Sequence, residues 1–428
     1  MKKKGLLLLS VLLIAAISAM LWQLNFNQTS IVCMNSTLTA AQIKEDANQL
    51  VLIIENTHPE FSLDDIQADY PAAKKSFFAS ASQRMSSDDF AWLASAYLAS
   101  LHDGHTAVEL TQSKETLQGS YRMTEGGLFE VDAGGKITGT KVTAIGGIPI
   151  NHIFTTISRY EVAENEAGVI MNNTMLSTYQ PILERSGVDC TKHTVVVTEQ
   201  NGTQISSKEV QFQSRSPDSV YQANDIVDNR MIGDIFYIGL HKCELGPDVD
   251  RVAETLKNAV ANGVTRVIID VRNNPGGNSN VCTELLKTIG MQAPNYGVYS
   301  RESPLAVAQN GTVGLNTEPD LSTAHTNSRI SLAVLTNEFT YSSATMLAVF
   351  AQDGKLGTVI GYPSANSPSS YGDVLSFQLK NSGLKGQVSY KRWLRPNASA
   401  DQRMLRPDVL VPIGGDALQT AINFLDHK

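Results

Sequence analysis

The spacing of apolar positions changes several times along the chain, and each change marks a boundary. Residues 1–22 have no period: Lys2, Lys3 and Lys4 precede an uncharged stretch from Gly5 to Trp22 dominated by Leu, Ile, Val and Ala. This is the basic-then-apolar layout of an export signal, and 18 residues also suffice for a retained membrane anchor. Small residues near its end (Ala15, Ala16, Ser18, Ala19) suit cleavage. From about Thr37 to Leu101 the spacing is helical. Ala40 to Glu55 predicts one helix, which His58-Pro59 ends because a residue before proline avoids the α region. Ser86-Ser87-Asp88 caps another, which runs through Phe90, Leu93, Tyr97 and Leu101. It stops at the turn-like His102-Asp103-Gly104-His105-Thr106, so His105 is presented on a loop.

From about Gly119 to Gln213 the pattern becomes short β-type runs broken by glycines. Within it, Val142 to Ile150 (strand, Gly146-Gly147 turn, short strand) resembles a PDZ module, and an ordinary β-rich spacer fits equally well. A module that adds a peptide to its edge would suit a protease. From about Gly233 strands alternate with helices. Asp234–Leu240, Val264–Val271 and Ile330–Leu335 read as strands; Asp248–Ala261, Asn280–Ile289 and a stretch through Ala351 read as helices. That alternation predicts an α/β core of parallel strands, with its chemistry at their carboxyl ends. The expected organisation is α+β and multidomain. It comprises a signal or anchor (1–22), a helical region (37–112), a β-rich and PDZ-like or spacer domain (113–220), and an α/β core (225–428).

Composition narrows the function by exclusion. With 42% hydrophobic and 18% charged residues, the chain reads as globular; its net charge of −8 offers no basic patch for nucleic acid. Removing residues 1–22 takes away three lysines and no acids, leaving −11. Cys33, Cys190, Cys243 and Cys282 permit two disulfides in an exported protein, with three pairings open. None lies in a C-x-x-C or C-x-x-H pattern, so no metal is expected.

Two segments fall at strand ends. In Asp270-Val271-Arg272-Asn273-Asn274-Pro275-Gly276-Gly277 a buried strand leads through a glycine turn into a helix, and such exposed N–H groups can hold an oxyanion. In Thr336 to Ala344, Ser342 sits at a strand-to-helix turn like a nucleophile elbow, although the Gly-x-Ser-x-Gly pattern is missing. Taken singly, a plain turn and a helix cap explain them as well. Together, and in this order, His-Asp-Gly-His-Thr, Asp-Val-Arg-Asn-Asn-Pro-Gly-Gly, Thr-Tyr-Ser-Ser-Ala and Arg-Pro-Asp-Val resemble the tail-specific (carboxyl-terminal-processing) serine proteases. The resemblance runs from about residue 40 to the end.

One branch of that family uses a lysine about 25 residues after the serine, and none lies at Ser364 to Ser370 here. Gly104-His105-Thr106 matches the tricorn-core branch, in which a histidine is the base. The resemblance implies a core with a ClpP/crotonase-like arrangement, Ser342 as nucleophile and His105 as general base. The orienting acid, six positions before Pro407, is Asp401, where the family usually has glutamate. It also implies oxyanion donors from Gly277 (or Gly276) and Ser343. Asp103 is expected to brace its loop, and Arg272 to pair with a carboxylate. His102 competes with His105 for the base, while His58 and the remaining histidines are read as structural. The expected activity is serine-type endopeptidase on peptide or protein substrates, without a cofactor. The expected location is periplasmic or secreted, or tethered through residues 1–22. The competing reading is an inactive binding protein on the same scaffold, holding a peptide or small hydrophobic ligand.

Overall fold

Strands buried on both faces must be apolar throughout, and such runs build the central sheet. The computed structural model describes residues 37–427 apart from 64–65, 111–114, 216, 222, 224, 312–313 and 315. The apolar stretch 1–22 and Cys33 lie outside the described residues. The sheet comprises β1 (Val227–Ile232), β2 (Ile235–Leu240), β3 (Arg266–Asp270), β4 (Ser331–Thr336), β5 (Thr358–Gly361) and β6 (Val409–Leu410). They lie side by side in chain order; β1 and β2 form an antiparallel hairpin and the others run parallel. Helix α1 (Pro247–Ala261) joins β2 to β3, α2 (Asn280–Thr288) follows β3, α3 (Ser343–Asp353) joins β4 to β5, and α4 (Ala417–Asp426) follows β6.

Parallel strands laid down in one direction with right-handed crossovers place their connecting helices on one face. Helices α1 to α3 accordingly share a core with Phe236, Ile238, Val267, Ile269, Leu332 and Val334. On the other face α4 packs Ala417, Ala421 and Leu425 against Tyr237, Ile268, Ala333 and Leu335. The carboxyl ends of β2, β3 and β4 therefore stand next to one another, and the loops that leave them are neighbours.

Residues 115–214 form a seven-stranded antiparallel sheet. Here the structure departs from the expected run of strands: Ile150–Tyr160, Glu166–Leu176 and Gln180–Arg185 are helices. The first buries Ile150, Ile153, Thr156 and Ile157 on one stripe. Its β-branched residues favour strands intrinsically, but their three- and four-residue spacing places them on one helical face.

This α/β body, with the seven-stranded sheet, is one compact unit (Gln112–Val298, Thr317–Ser370 and Trp393–Lys428). The other is assembled from a stretch ending at Thr111, Tyr299–Asn316 and Tyr371–Arg392. Its α-helices are Ala40–Thr57, closed by a Thr39–Gln42 capping box, Tyr70–Ser80, Ser87–Leu98, capped by Ser86, and Pro304–Asn310, capped by Ser303. Ile43, Leu50, Ile54, Phe77, Phe90 and Tyr97 pack with Leu375, Phe377 and Val388 from the later segment. The buried carboxylate of Asp46 accepts from the backbone of Asn381 (2.9 Å) and Ser382 (2.7 Å) and from the Asn381 amide (2.9 Å).

Cys190, Cys243 and Cys282 are buried free thiols, with the sulfurs of Cys243 and Cys282 3.9 Å apart. Among the described residues no helix is long and apolar enough to cross a membrane. Leu347→Ala, at a fully buried position of α3, should cost about 2–5 kcal/mol in urea unfolding. Ile205→Ala, at a position 70% exposed, should cost about 0.5 kcal/mol or less.

Candidate active site

The loop leaving β4 and the loop leaving β3 are stitched together before either reaches its helix. Thr340 Oγ1 donates to the Val271 carbonyl (2.9 Å), and the Tyr341 N–H to the Asn274 carbonyl (2.9 Å). The Asn337 side chain accepts from the Asn273 N–H (3.0 Å) and donates to the Asn273 side chain (2.7 Å). Ser343 Oγ donates to the Gly277 carbonyl (2.7 Å).

Held this way, Ser342 adopts φ 51° and ψ −125°. Positive φ is a strained conformation for a residue with a Cβ, and it is the sharp strand-to-helix turn that thrusts a serine hydroxyl outward. The sequence pattern that usually marks such an elbow places glycines two positions either side. Here Thr340 and Ala344 stand there, both buried, and the room comes from the opposing loop. A Cβ on Gly276 would lie 2.5 Å from the Ser342 Cβ and 2.9 Å from the Ser343 nitrogen, and Gly276 itself has φ 96°. Gly277, at φ 132°, passes against the Cys243 carbonyl in the same way.

Of the two candidate glycine donors, Gly276 already uses its N–H on Asn274 Oδ1 (2.8 Å). Asn274 is fully buried and its amide donates in turn to the Leu240 carbonyl at the end of β2 (2.8 Å). Arg272 folds back onto Asp270, with Nη2 2.6 Å from Oδ2 and Nε 2.9 Å from Oδ1. Burial works against the guanidinium charge, but that carboxylate outweighs it and keeps the group above its ordinary range.

A cavity of about 480 Å³ opens at the same strand ends, lined among others by Arg122, Arg272, Asn273, Asn337 and Glu338. Glu338 is fully buried and pairs with Arg122 (2.7 Å). Burial raises its carboxyl despite that pairing.

A residue that carried no sequence signal sits behind the serine loop. Glu164 is buried and accepts from the Tyr341 hydroxyl (2.7 Å), the Asn366 amide (2.8 Å) and the Ser367 N–H (2.8 Å). It ties the residue before Ser342 to the segment following β5. Only a buried carboxylate with three donors around it reveals the role, and nothing in the neighbouring Ala163-Glu164-Asn165 sequence does.

Asp401 lies on a turn that is itself well braced. Arg395, 3% exposed and paired with buried Asp353 (2.7 Å), donates to the Asp401 carbonyl (2.8 Å). The Asp401 carboxylate accepts from the N–H groups of Arg403 (2.9 Å) and Met404 (3.1 Å). These bonds hold its carboxyl below the ordinary range.

In the other unit, Asp103 is 1% exposed. Its carboxylate accepts from the His105 N–H (2.9 Å), from Thr106 Oγ1 (2.6 Å) and from His58, whose Nε2 lies 3.2 Å away. His105 Nδ1 is 3.6 Å from Asp103 Oδ1. Burial alone would raise this carboxyl, but hydrogen bonds from His105 and His58 hold it well below the ordinary range. His102 points elsewhere: it is 44% exposed and its ring meets Asp69 at 3.2 Å.

Residues 234–411 match the family described as Peptidase family S41. Among solved structures, the chain resembles mature CPAF complexed with lactacystin and mature CPAF alone. Each is 12% identical with a TM-score of 0.62; the first match covers 91% of this chain and 97% of that chain, the second 90% and 96%. At that identity the likeness concerns the fold. A photosystem II D1 C-terminal processing protease matches at 13% identity over 86% of this chain and 93% of its own, with a TM-score of 0.45. No curated protein matches the chain.

Two outcomes follow. Gly276→Ala should destabilise the protein by at least about 1–3 kcal/mol, because the new methyl must displace the strained serine turn; thermal unfolding reads it. Because Asp103 ionises more readily folded than unfolded, its stabilising contribution is complete above the ordinary carboxylate range near pH 4. It is lost as pH falls through the lowered value. The acid branch of an unfolding-versus-pH curve should therefore be shallower in Asp103→Asn.

Proposed function

The chain belongs to peptidase family S41 through residues 234–411, and from that premise we propose that it is a serine endopeptidase with Ser342 as nucleophile and His105 as general base. The observation that carries the reading is the backbone of Ser342, at φ 51° and ψ −125° on a turn between a parallel strand and a helix. A serine held there exposes its hydroxyl and aligns the next N–H with the reacting carbonyl.

A serine hydroxyl becomes nucleophilic when a base takes its proton during attack. His105 accepts that proton as Ser342 Oγ bonds to the scissile carbonyl carbon, and returns it to the amine as the carbon–nitrogen bond breaks. Water then attacks the acyl-enzyme with His105 again as base. The N–H groups of Gly277 and Ser343 are the proposed oxyanion donors, since that of Gly276 is already bonded to Asn274. Each such donor is worth about 10²–10³ in rate.

Asp401, which the family resemblance implies as orienting acid, is the member with least geometric support. Its carboxylate serves the backbone of its own turn and is 44% exposed. Substrates are peptides or proteins. The basic-then-apolar amino terminus supports export to the periplasm or beyond, with residues 1–22 cleaved or retained.

The test is labelling of the purified chain with a fluorophosphonate beside Ser342→Ala and His105→Ala. Wild type should label, and both variants should lose labelling and peptide hydrolysis by at least about 10⁴-fold. A folded wild type that neither labels nor cleaves would overturn the reading and favour a binding protein on the same scaffold.

A further inference from the structure

The carboxylate nearest a ring nitrogen of His105 within its own unit belongs to Asp103, and a second histidine holds that carboxylate from behind. The side chain of His58 is fully buried. Its backbone N–H donates to Ile54 and its carbonyl accepts from Arg301 (2.5 Å). Its ring lies 4.3 Å from that of Tyr371. Nε2 reaches Asp103 Oδ2 at 3.2 Å, while Nδ1 faces Glu60 Oε2 at 3.7 Å. The groups around the ring are therefore Glu60, Phe61, Asp103 and Tyr371, with Arg301 on the backbone carbonyl and Arg392 over the ring of Tyr371.

The His105 end is equally fixed. Its N–H is on Asp103, its carbonyl accepts from Gln387 (2.8 Å), and the Thr106 hydroxyl that donates to Asp103 accepts from the Ser389 N–H (3.0 Å). With the backbone clamped on both sides, the imidazole has only its side-chain torsions left. Its Nδ1 stands 3.6 Å from Asp103 Oδ1, just beyond hydrogen-bond length; such bonds often tighten only when substrate binds.

We propose that Asp103 is the carboxylate that orients His105 through Nδ1, leaving Nε2 to act as base, and that His58 is a positioning residue that holds the far oxygen of Asp103. A buried anion persists only when donors satisfy it. Here His58, Thr106 and the His105 N–H do so. Asp103 thus stays ionised to face the imidazolium formed when His105 takes up the serine proton. Without His58, Asp103 would lose one of these donors and the contact that fixes the direction of Oδ1.

This inference rests on the reading of His105 as base, so its test pairs turnover with a measurement that needs no turnover. The full chain would be prepared as Asp103→Asn, Asp401→Asn, His58→Leu and His58→Gln. Asp103→Asn should lower kcat by about 10³–10⁴ with KM within about threefold, a larger loss than Asp401→Asn causes. His58→Leu should lower kcat at least about tenfold, and His58→Gln, whose amide can still donate to Asp103, should recover most of it. In histidine-labelled Ser342→Ala protein, nitrogen NMR should show His105 as the Nδ1–H tautomer, and Asp103→Asn in that background should abolish the preference.

The proposal is overturned if Asp103→Asn retains kcat, if Asp401→Asn suffers the larger loss, or if glutamine is no better than leucine at position 58. A His105 tautomer indifferent to Asp103 overturns it even if the leucine variant fails to fold. Should the tautomer behave as expected in a chain that cleaves nothing, the peptidase reading fails while the role of Asp103 stands.

Discussion

Ser342 holds a backbone conformation that costs an L-residue about 1–3 kcal/mol, and the surrounding structure is arranged so that no cheaper one is reachable. The turn cannot relax towards β3 because Gly276 already occupies that space, with the carbonyl of Tyr341 and the nitrogen of Ser343 close around it. Nor can it relax away, because Tyr341 and Ser343 are each hydrogen-bonded across to the glycine loop. That loop depends in turn on Asn274, whose amide spans from the Gly276 N–H to the Leu240 carbonyl. The strained serine is thus tied to the ends of three adjacent parallel strands. Their adjacency follows from laying the strands down in sequence order.

Burial makes the acids of this protein selective about their surroundings. Asp46, Asp103, Glu164 and Glu338 are all withdrawn from water, yet each solves the problem differently. Asp46 uses backbone and amide donors, Asp103 two histidines and a hydroxyl, Glu164 a phenol, an amide and an N–H, and Glu338 a guanidinium. A network of neutral donors fixes direction without adding charge, whereas a guanidinium pair brings its own desolvation penalty.

The α/β alternation was legible because buried parallel strands leave continuous apolar runs such as Ile235–Leu240, and because α1 and α2 keep a helical stripe. Ser342 could be located by its place between a strand and a helix, while its backbone could not be read from the elbow pattern. The space that glycines would provide beside the serine is provided by Gly276, 66 positions away. The helices within residues 150–185 were hidden by β-branched residues whose intrinsic bias opposes their period. His58 and Glu164 were invisible for a different reason. Each acts through partners more than 40 positions distant, and no local pattern records which buried side chain will face them.

The unit that contains His105 is not contiguous in the chain. Its first helices bury Asp46 and an apolar face, and what covers them arrives as residues 371–392, more than 300 positions later. Contacts that close so large a loop are late events in folding. A chain growing from its amino terminus therefore exposes this face until residues 371–392 have been made. Any molecule truncated before residue 371 is left with a buried-type carboxylate and no donors for it. The histidine unit is in effect a check on completeness, since it can be finished only by a chain that has already been synthesised through most of the unit that carries the serine.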